Sequence, residues 1–198
     1  MDHGSFFSYQ NQTYFASGGM DNPNQYIRAS YLAPCHYQQN GVIVIEQKMM
    51  EYGVGQYDAV WERIEAEWYF AASKDCKIEL GEAEFAVGGM NHGDFLFYPN
   101  ISNVEENCLL KFGVAAGNGD AYIEIRDGSL EGEVLGNCHV EGKVNWDTYQ
   151  TVYCPLKNTA GVKNIYLVVK GENEGELLRI DWLTFDSDTT RSTMEPAL

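Results

Sequence analysis

Two glutamates stand two residues apart in the run Arg63-Ile64-Glu65-Ala66-Glu67. On a β-strand alternate residues share a face, so Glu65 and Glu67 point one way while Ile64 and Ala66 point the other. Like charges this close repel unless a cation lies between them. Calcium takes about six to eight oxygen ligands, carboxylates and backbone carbonyls among them. Asp181, in the last strand-like run of the chain, completes such a set if the first and last strands of a sandwich lie side by side. The chemistry expected of Glu65, Glu67 and Asp181 is therefore structural calcium binding, with a solvated acidic edge as the alternative. A glycosidase needs two carboxyl groups roughly 5–10 Å apart across a sugar cleft. The spacing singles out no pair for that role other than Glu65 and Glu67, which fit calcium better.

Short strands must position these groups. After Trp61 the strand candidates are Arg63–Tyr69, Glu84–Val87, Asp94–Tyr98, Leu109–Ala115, Ala121–Arg126, Val134–Val140, Tyr149–Cys154, Ile165–Lys170 and Leu177–Phe185. Turn-forming clusters such as Gly117-Asn118-Gly119-Asp120 separate them, which predicts an all-β sandwich. Before it, Ser5–Tyr9 and Thr13–Ala16 flank a hairpin signal at Gln10-Asn11-Gln12, and Tyr26–Leu32 and Val42–Ile45 extend the meander. Four antiparallel strands make one propeller blade, which by itself cannot bury both faces. Residues 48–60 read as a connector, no amphipathic helix of length is expected, and the polar tail 188–198 is expected to fray.

The chain has 198 residues and a formal net charge of −16. That field repels phosphate backbones, so nucleic acid is not an expected partner. Residues 1–58 carry −3 (Arg28 and Lys48 against Asp2, Asp21, Glu46, Glu51 and Asp58), leaving −13 for the remainder. Thirteen Tyr, nine Phe and four Trp suit strands and sugar-binding faces alike. No run is long enough for a membrane span, and the first residues do not read as a signal peptide. None of the five cysteines forms a CxxC pair, which disfavours zinc. Cys138 and Cys154 fall on neighbouring predicted strands and either pair or remain buried thiols.

From residue 61 onward the sequence resembles carbohydrate-binding module family 6. The elements that carry the resemblance come in the family's order: the opening Ile64-Glu65-Ala66-Glu67, then Val87-Gly88 through Gly93-Asp94-Phe95, Ile123-Glu124-Ile125-Arg126, Leu135-Gly136-Asn137-Cys138, Trp146-Asp147-Thr148-Tyr149 and Ile180-Asp181-Trp182-Leu183-Thr184-Phe185. The resemblance implies a lectin-like jelly-roll β-sandwich over residues 59–187. It also implies a calcium held by Glu65, Glu67, Asp181 and a backbone carbonyl of the Lys77–Glu82 loop. Residues 1–58 resemble the last blade of a glycoside hydrolase family 43 propeller, through His3-Gly4-Ser5, the strand pair after it and the stretch from Arg28-Ala29-Ser30 to Tyr37 and Gly41. The catalytic carboxyl groups of that family lie on earlier blades. The expectation is a non-catalytic module of a larger, secreted arabinofuranosidase or xylosidase, whose signal lies upstream.

In family 6 a loop-end cleft holds sugar between a Trp and a facing aromatic, with an Asn near the final strand. Trp146 takes the Trp position, whereas Gly89 stands where the facing ring belongs and Arg179 where the Asn belongs. Met90, Asn91 and His92 are the candidates to replace the missing wall. Arg179 either binds the carboxylate of a uronic acid or pairs with the Glu172–Glu176 run. Trp182 and Phe185 are expected as core packing, and Trp61 and Trp68 as core or interface. The expected ligand is xylan, arabinoxylan or a related plant polysaccharide. The rival readings are a truncated family 43 hydrolase, which turnover of aryl arabinosides would reveal, and a structural spacer with a decayed cleft.

Overall fold

The computed structural model describes residues 3–19, 29–82, 84–117, 119–143 and 145–187. Arg28, the loop at 20–23, the start of the predicted 26–32 strand and the tail 188–198 lie outside the described residues.

The N-terminal sheet is a four-stranded antiparallel meander of β1 (Gly4–Tyr9), β2 (Gln12–Gly19), β3 (Ala29–Tyr37) and β4 (Ile43–Ile45). Gln10 (φ 53°) and Asn11 (φ 62°) form the turn between β1 and β2. Two consecutive left-handed residues match the strand twist in a tight hairpin, so Tyr9 pairs directly with Gln12. The predicted connector holds the short helix α1 (Gln47–Tyr52) and β5 (Tyr57–Asp58).

The remaining strands are β6 (Ile64–Glu65), β7 (Ala71–Ala72), β8 (Lys77–Leu80), β9 (Phe85–Met90), β10 (Phe95–Val104), β11 (Leu109–Ala116), β12 (Ala121–Asp127), β13 (Val134–Val140), β14 (Asn145–Pro155), β15 (Gly161–Gly171) and β16 (Leu178–Asp186). They form two facing sheets, ordered β13-β12-β15-β10-β5 and β14-β11-β16-β9-β8, with β7 on β10 and β6 on β16. The sandwich expected from the spacing of short apolar runs is therefore the observed architecture. Alternation builds its core. Ile123 and Ile125 of β12 and Ile165, Leu167 and Val169 of β15 face Leu110, Phe112 and Val114 of β11. Each of these is fully buried, a gain of about 1.5–3 kcal/mol per large side chain.

Three expectations are corrected. The predicted strand Arg63–Tyr69 is only two residues long, and a 3₁₀ turn at Ala66–Trp68 follows it. Distant groups hold that turn: the Tyr98 hydroxyl donates to the Ala66 carbonyl (2.7 Å), the Tyr57 hydroxyl to that of Trp68 (2.5 Å), and the Gln12 amide to those of Glu67 (2.8 Å) and Tyr69 (3.0 Å). With its carbonyls satisfied by side chains, the segment has no need of a ladder. The stretch given as a loop from Lys77 to Glu82 is mostly β8. Trp182 is half-buried and lies over Gly113, where a Cβ would meet its indole nitrogen at 2.4 Å; it packs on the outer face of its sheet and not in the core. All five cysteines are free and buried. Cys138 and Cys154 sit in different sheets, on β13 and β14, and the neighbouring Cys138 thiol together with burial pushes Cys154 far up.

The blade lies against the sandwich. Asn11 donates to the carbonyls of Ser73 (2.7 Å) and Cys76 (2.9 Å), Tyr69 donates to the Asn11 carbonyl (2.6 Å), and the Ala72 amide donates to the Gln10 carbonyl (3.1 Å). Met49 of α1 is fully buried within the sandwich core. Asn11 and Asn100 head the two glycosylation-type triplets of the sequence, yet both spend their side-chain amides on backbone carbonyls, Asn100 on that of Gly55 (3.1 Å).

Candidate functional site: an acidic pocket and a loop-end platform

β6 lies antiparallel on β16, with Glu65 opposite Trp182. That pairing brings the opening and closing strands together, as the sequence requires for Glu65, Glu67 and Asp181 to meet. The alternation argument fails for Glu67, which sits in the 3₁₀ turn, but the turn swings its carboxyl inward. All three line one pocket of about 240 Å³, with Glu46, Arg63, Trp68, Glu84 and Phe85.

The three carboxylates differ in environment. Glu65 accepts two hydrogen bonds from Arg63, at 2.9 and 2.8 Å. The same guanidinium stands 3.9 Å from Asp181. Glu67 is 4% and Asp181 1% exposed, and Glu67 Oε2 and both Asp181 carboxylate oxygens have no hydrogen-bond partner. Burial pushes Glu67 well above the usual carboxylate range, with Glu46, Glu65 and Asp181 adding repulsion. Burial lifts Asp181 to about 6, Arg63 opposing and Glu65 reinforcing the rise. Glu46 is pushed to about 7 by burial, although it accepts a hydrogen bond from the Trp68 indole at 2.8 Å. Gly81 packs directly against Asp181: a Cβ there would lie 2.2 Å from Asp181 Oδ1. Among the described residues no three metal-ligating side chains converge on one point, and Glu65 is taken up by Arg63. The donor set nevertheless suits a hard cation: oxygen atoms only, several of them buried without partners, where an unpaired buried acceptor costs roughly 1–3 kcal/mol.

The second constellation lies at one end of the sandwich. Trp146, at the start of β14, is half-buried, and the Arg179 guanidinium lies 4.6 Å from its ring centroid. Arg179 is fully engaged: Nε donates to Glu176 Oε1 (2.9 Å), Nη2 to Glu176 Oε2 (3.3 Å), and Nη1 stands 3.8 Å from Glu79. Glu79 also pairs with Lys77 at 2.7 Å. Of the two readings of Arg179, pairing with the Glu172–Glu176 run is the one observed. Glu176 Oε1 also accepts the Gly89 amide (2.8 Å), which ties the β9 loop to the platform. Gly89 has φ +68°, and a Cβ there would lie 2.4 Å from the Asp75 carbonyl, so no aromatic ring fits at that position.

The residues expected to replace that ring divide. Met90 is fully buried in the core and offers a ligand no surface, a correction that follows from its inward pairing with Leu178. Asn91 is half-buried and donates to the Gly89 carbonyl and Asp94. His92 is exposed and bonds the Gly171 carbonyl through Nδ1 (2.7 Å).

Two facing, mainly antiparallel sheets, with an acidic pocket where the opening and closing strands of the sandwich meet and an aromatic platform among the end loops, define a lectin-like β-sandwich module. The family model for carbohydrate binding module family 6 matches residues 65–187, and the chain belongs to that family. It is 33% identical over 105 residues to endo-1,4-beta-xylanase A of Thermoclostridium stercorarium, a match that covers 53% of this chain and 19% of the xylanase. Among solved structures, a family 6 module of Clostridium stercorarium in complex with cellobiose aligns with TM-score 0.60 and 30% identity, covering 67% of this chain and 98% of that one. A family 43 arabinoxylan arabinofuranohydrolase of Bacillus subtilis aligns with TM-score 0.63 and 19% identity over 93% of this chain and 40% of that one. The last alignment takes in the N-terminal sheet as well as the sandwich and shows likeness of fold.

Proposed function

We propose that the chain is the carbohydrate-binding part of a larger extracellular plant-polysaccharide hydrolase, and that it holds neutral xylan-type chains on Trp146. The observation that carries this reading is the half-buried Trp146 ring at the end of the sandwich, at the position the family uses for sugar, in a chain that matches a xylanase's sequence. An indole stacks on the apolar face of a pyranose while polar neighbours read its hydroxyls. The surroundings favour an uncharged ligand. Arg179 and Lys77 are balanced by Glu176 and Glu79, so neither offers a uronate a free positive charge. With Gly89 unable to carry a second ring, the sugar is stacked on one side and binding is weak. The N-terminal sheet fits the reading as the last blade of a family 43 propeller whose other blades carry the catalytic groups.

A structural calcium belongs to the same proposal. Glu65, Glu67 and Asp181 would hold it once Arg63, whose side chain is 35% exposed, turns outward. The ion would supply positive charge to oxygens that have no donors, and would tie β6 to β16.

Affinity electrophoresis in gels containing soluble xylan tests the sugar site. Retardation of the intact chain, reduced about tenfold or more in Trp146→Ala while polygalacturonate gives none, is the expected result. Equal retardation of both proteins, or none by any neutral glycan, refutes it. The absence of a second ring and the Arg179 stacking favour one rival, a spacer with a decayed cleft, and a blank glycan screen would leave that reading standing.

A further inference from the structure

We infer that the cation site is shared between the two parts of the chain: Glu46, which follows the last strand of the N-terminal sheet, joins Glu65, Glu67 and Asp181 as a ligand, so an ion bound there clamps the blade onto the sandwich. The inference rests on the cation reading of Glu65, Glu67 and Asp181 and extends it to a residue outside the matched module.

Glu46 precedes α1, and its backbone is fixed from both sides. Its amide donates to the Pro34 carbonyl of β3 (3.0 Å), and its carbonyl accepts the Met50 amide (3.1 Å). The side chain crosses from there to the sandwich, where the Trp68 indole donates to one carboxylate oxygen (2.8 Å). It thereby lines the same cavity as Glu65, Glu67 and Asp181. An acidic cluster alone would not define a site. Here Glu67 is 96% and Asp181 99% buried, as their 4% and 1% exposures state, and their partnerless oxygens border the same cavity. Four carboxyl groups from the sandwich, Glu65, Glu67, Glu84 and Asp181, and one from the blade line the cavity with a single cationic side chain, Arg63, which leaves the join short of positive charge. A divalent ion that supplies it lowers the repulsion between Glu46 and the sandwich carboxylates. The ion therefore favours the docked arrangement over the undocked one, since it has its full complement of oxygens only in the first.

The test uses the whole chain with calcium chloride as the probe. Calorimetric titration measures binding, and hydrogen exchange follows the Ala72 amide, which donates across the join to the Gln10 carbonyl. The expected result is that calcium binds, that it slows exchange at Ala72, and that Glu46→Gln weakens binding about tenfold and abolishes the slowing. Glutamine keeps an acceptor for Trp68 and removes only the charge. If calcium binds the unaltered chain but leaves Ala72 exchange unchanged, the shared site is refuted while the cation reading stands. Binding by Glu46→Gln as tight as that of the unaltered chain refutes the shared site in the same way. If the unaltered chain gives no binding heat and no thermal shift, the cation reading itself fails and the inference falls with it.

Discussion

At the scale of single residues, burial without partners is the recurring condition. Glu67 and Asp181 show it on the acidic side, and His36 shows it on the basic side. His36 of β3 is 3% exposed, packs edge-on against Phe85 with centroids 5.3 Å apart, and has no partner for Nε2. Burial depresses its pKa to about 4, a backbone hydrogen bond at Glu67 opposing. An unfolded histidine titrates near 6.5. Between those values the unfolded chain takes up a proton that the folded chain refuses, so this contribution to stability is whole above about pH 6.5 and is lost as the pH falls toward 4. The loss is on the order of 3 kcal/mol. Urea midpoints measured from pH 7.5 to 4 should fall more steeply for the native chain than for His36→Gln. The raised carboxyl groups give an opposite slope, but they are common to both proteins and drop out of the difference. Identical slopes would show that His36 does not titrate as its burial dictates.

At the scale of elements, regular alternation was legible and local exceptions were not. Val134–Val140 was readable to the residue as a strand, and Leu109–Ala115 within one, because apolar residues two apart have few other uses. β7, two residues long, is too short to show a period. The 3₁₀ turn at Ala66–Trp68 was unreadable because its carbonyls are satisfied by Gln12, Tyr57 and Tyr98, which are remote in sequence. The site followed the same division. Glu65, Glu67 and Asp181 were legible from their unlikely placement in strand-like runs, and the structure gathers them around one pocket. Glu46 was not, since nothing in its local sequence points toward a module that begins well after it. Gln12 offers a direct probe of that long-range support. It is 1% exposed and serves two buried carbonyls. Gln12→Ala should cost about 1–3 kcal/mol for the acceptors left unpaired, read as a lowered denaturation midpoint with an unchanged slope. A loss below about 0.5 kcal/mol would mean that water replaces the amide.

At the scale of the whole molecule, blade and sandwich share a core. Met49 belongs to the same buried cluster as Tyr57, Tyr98 and Leu183, and the polar contacts of Asn11 and Gln12 cross the same boundary. Two parts joined in this way unfold together. Scanning calorimetry in reductant should give one transition, with calorimetric and van't Hoff enthalpies equal. Two resolved transitions would show that the parts melt independently. The reductant matters because of the free thiols. Five cysteines lie sheltered inside the folded molecule, so oxidants reach them only after the chain opens. Five is an odd number, and full internal pairing of an opened chain always leaves one sulfur over. In air each melted molecule thus carries a point for covalent joining to another, and heating converts a reversible equilibrium into a one-way loss that begins with dimers.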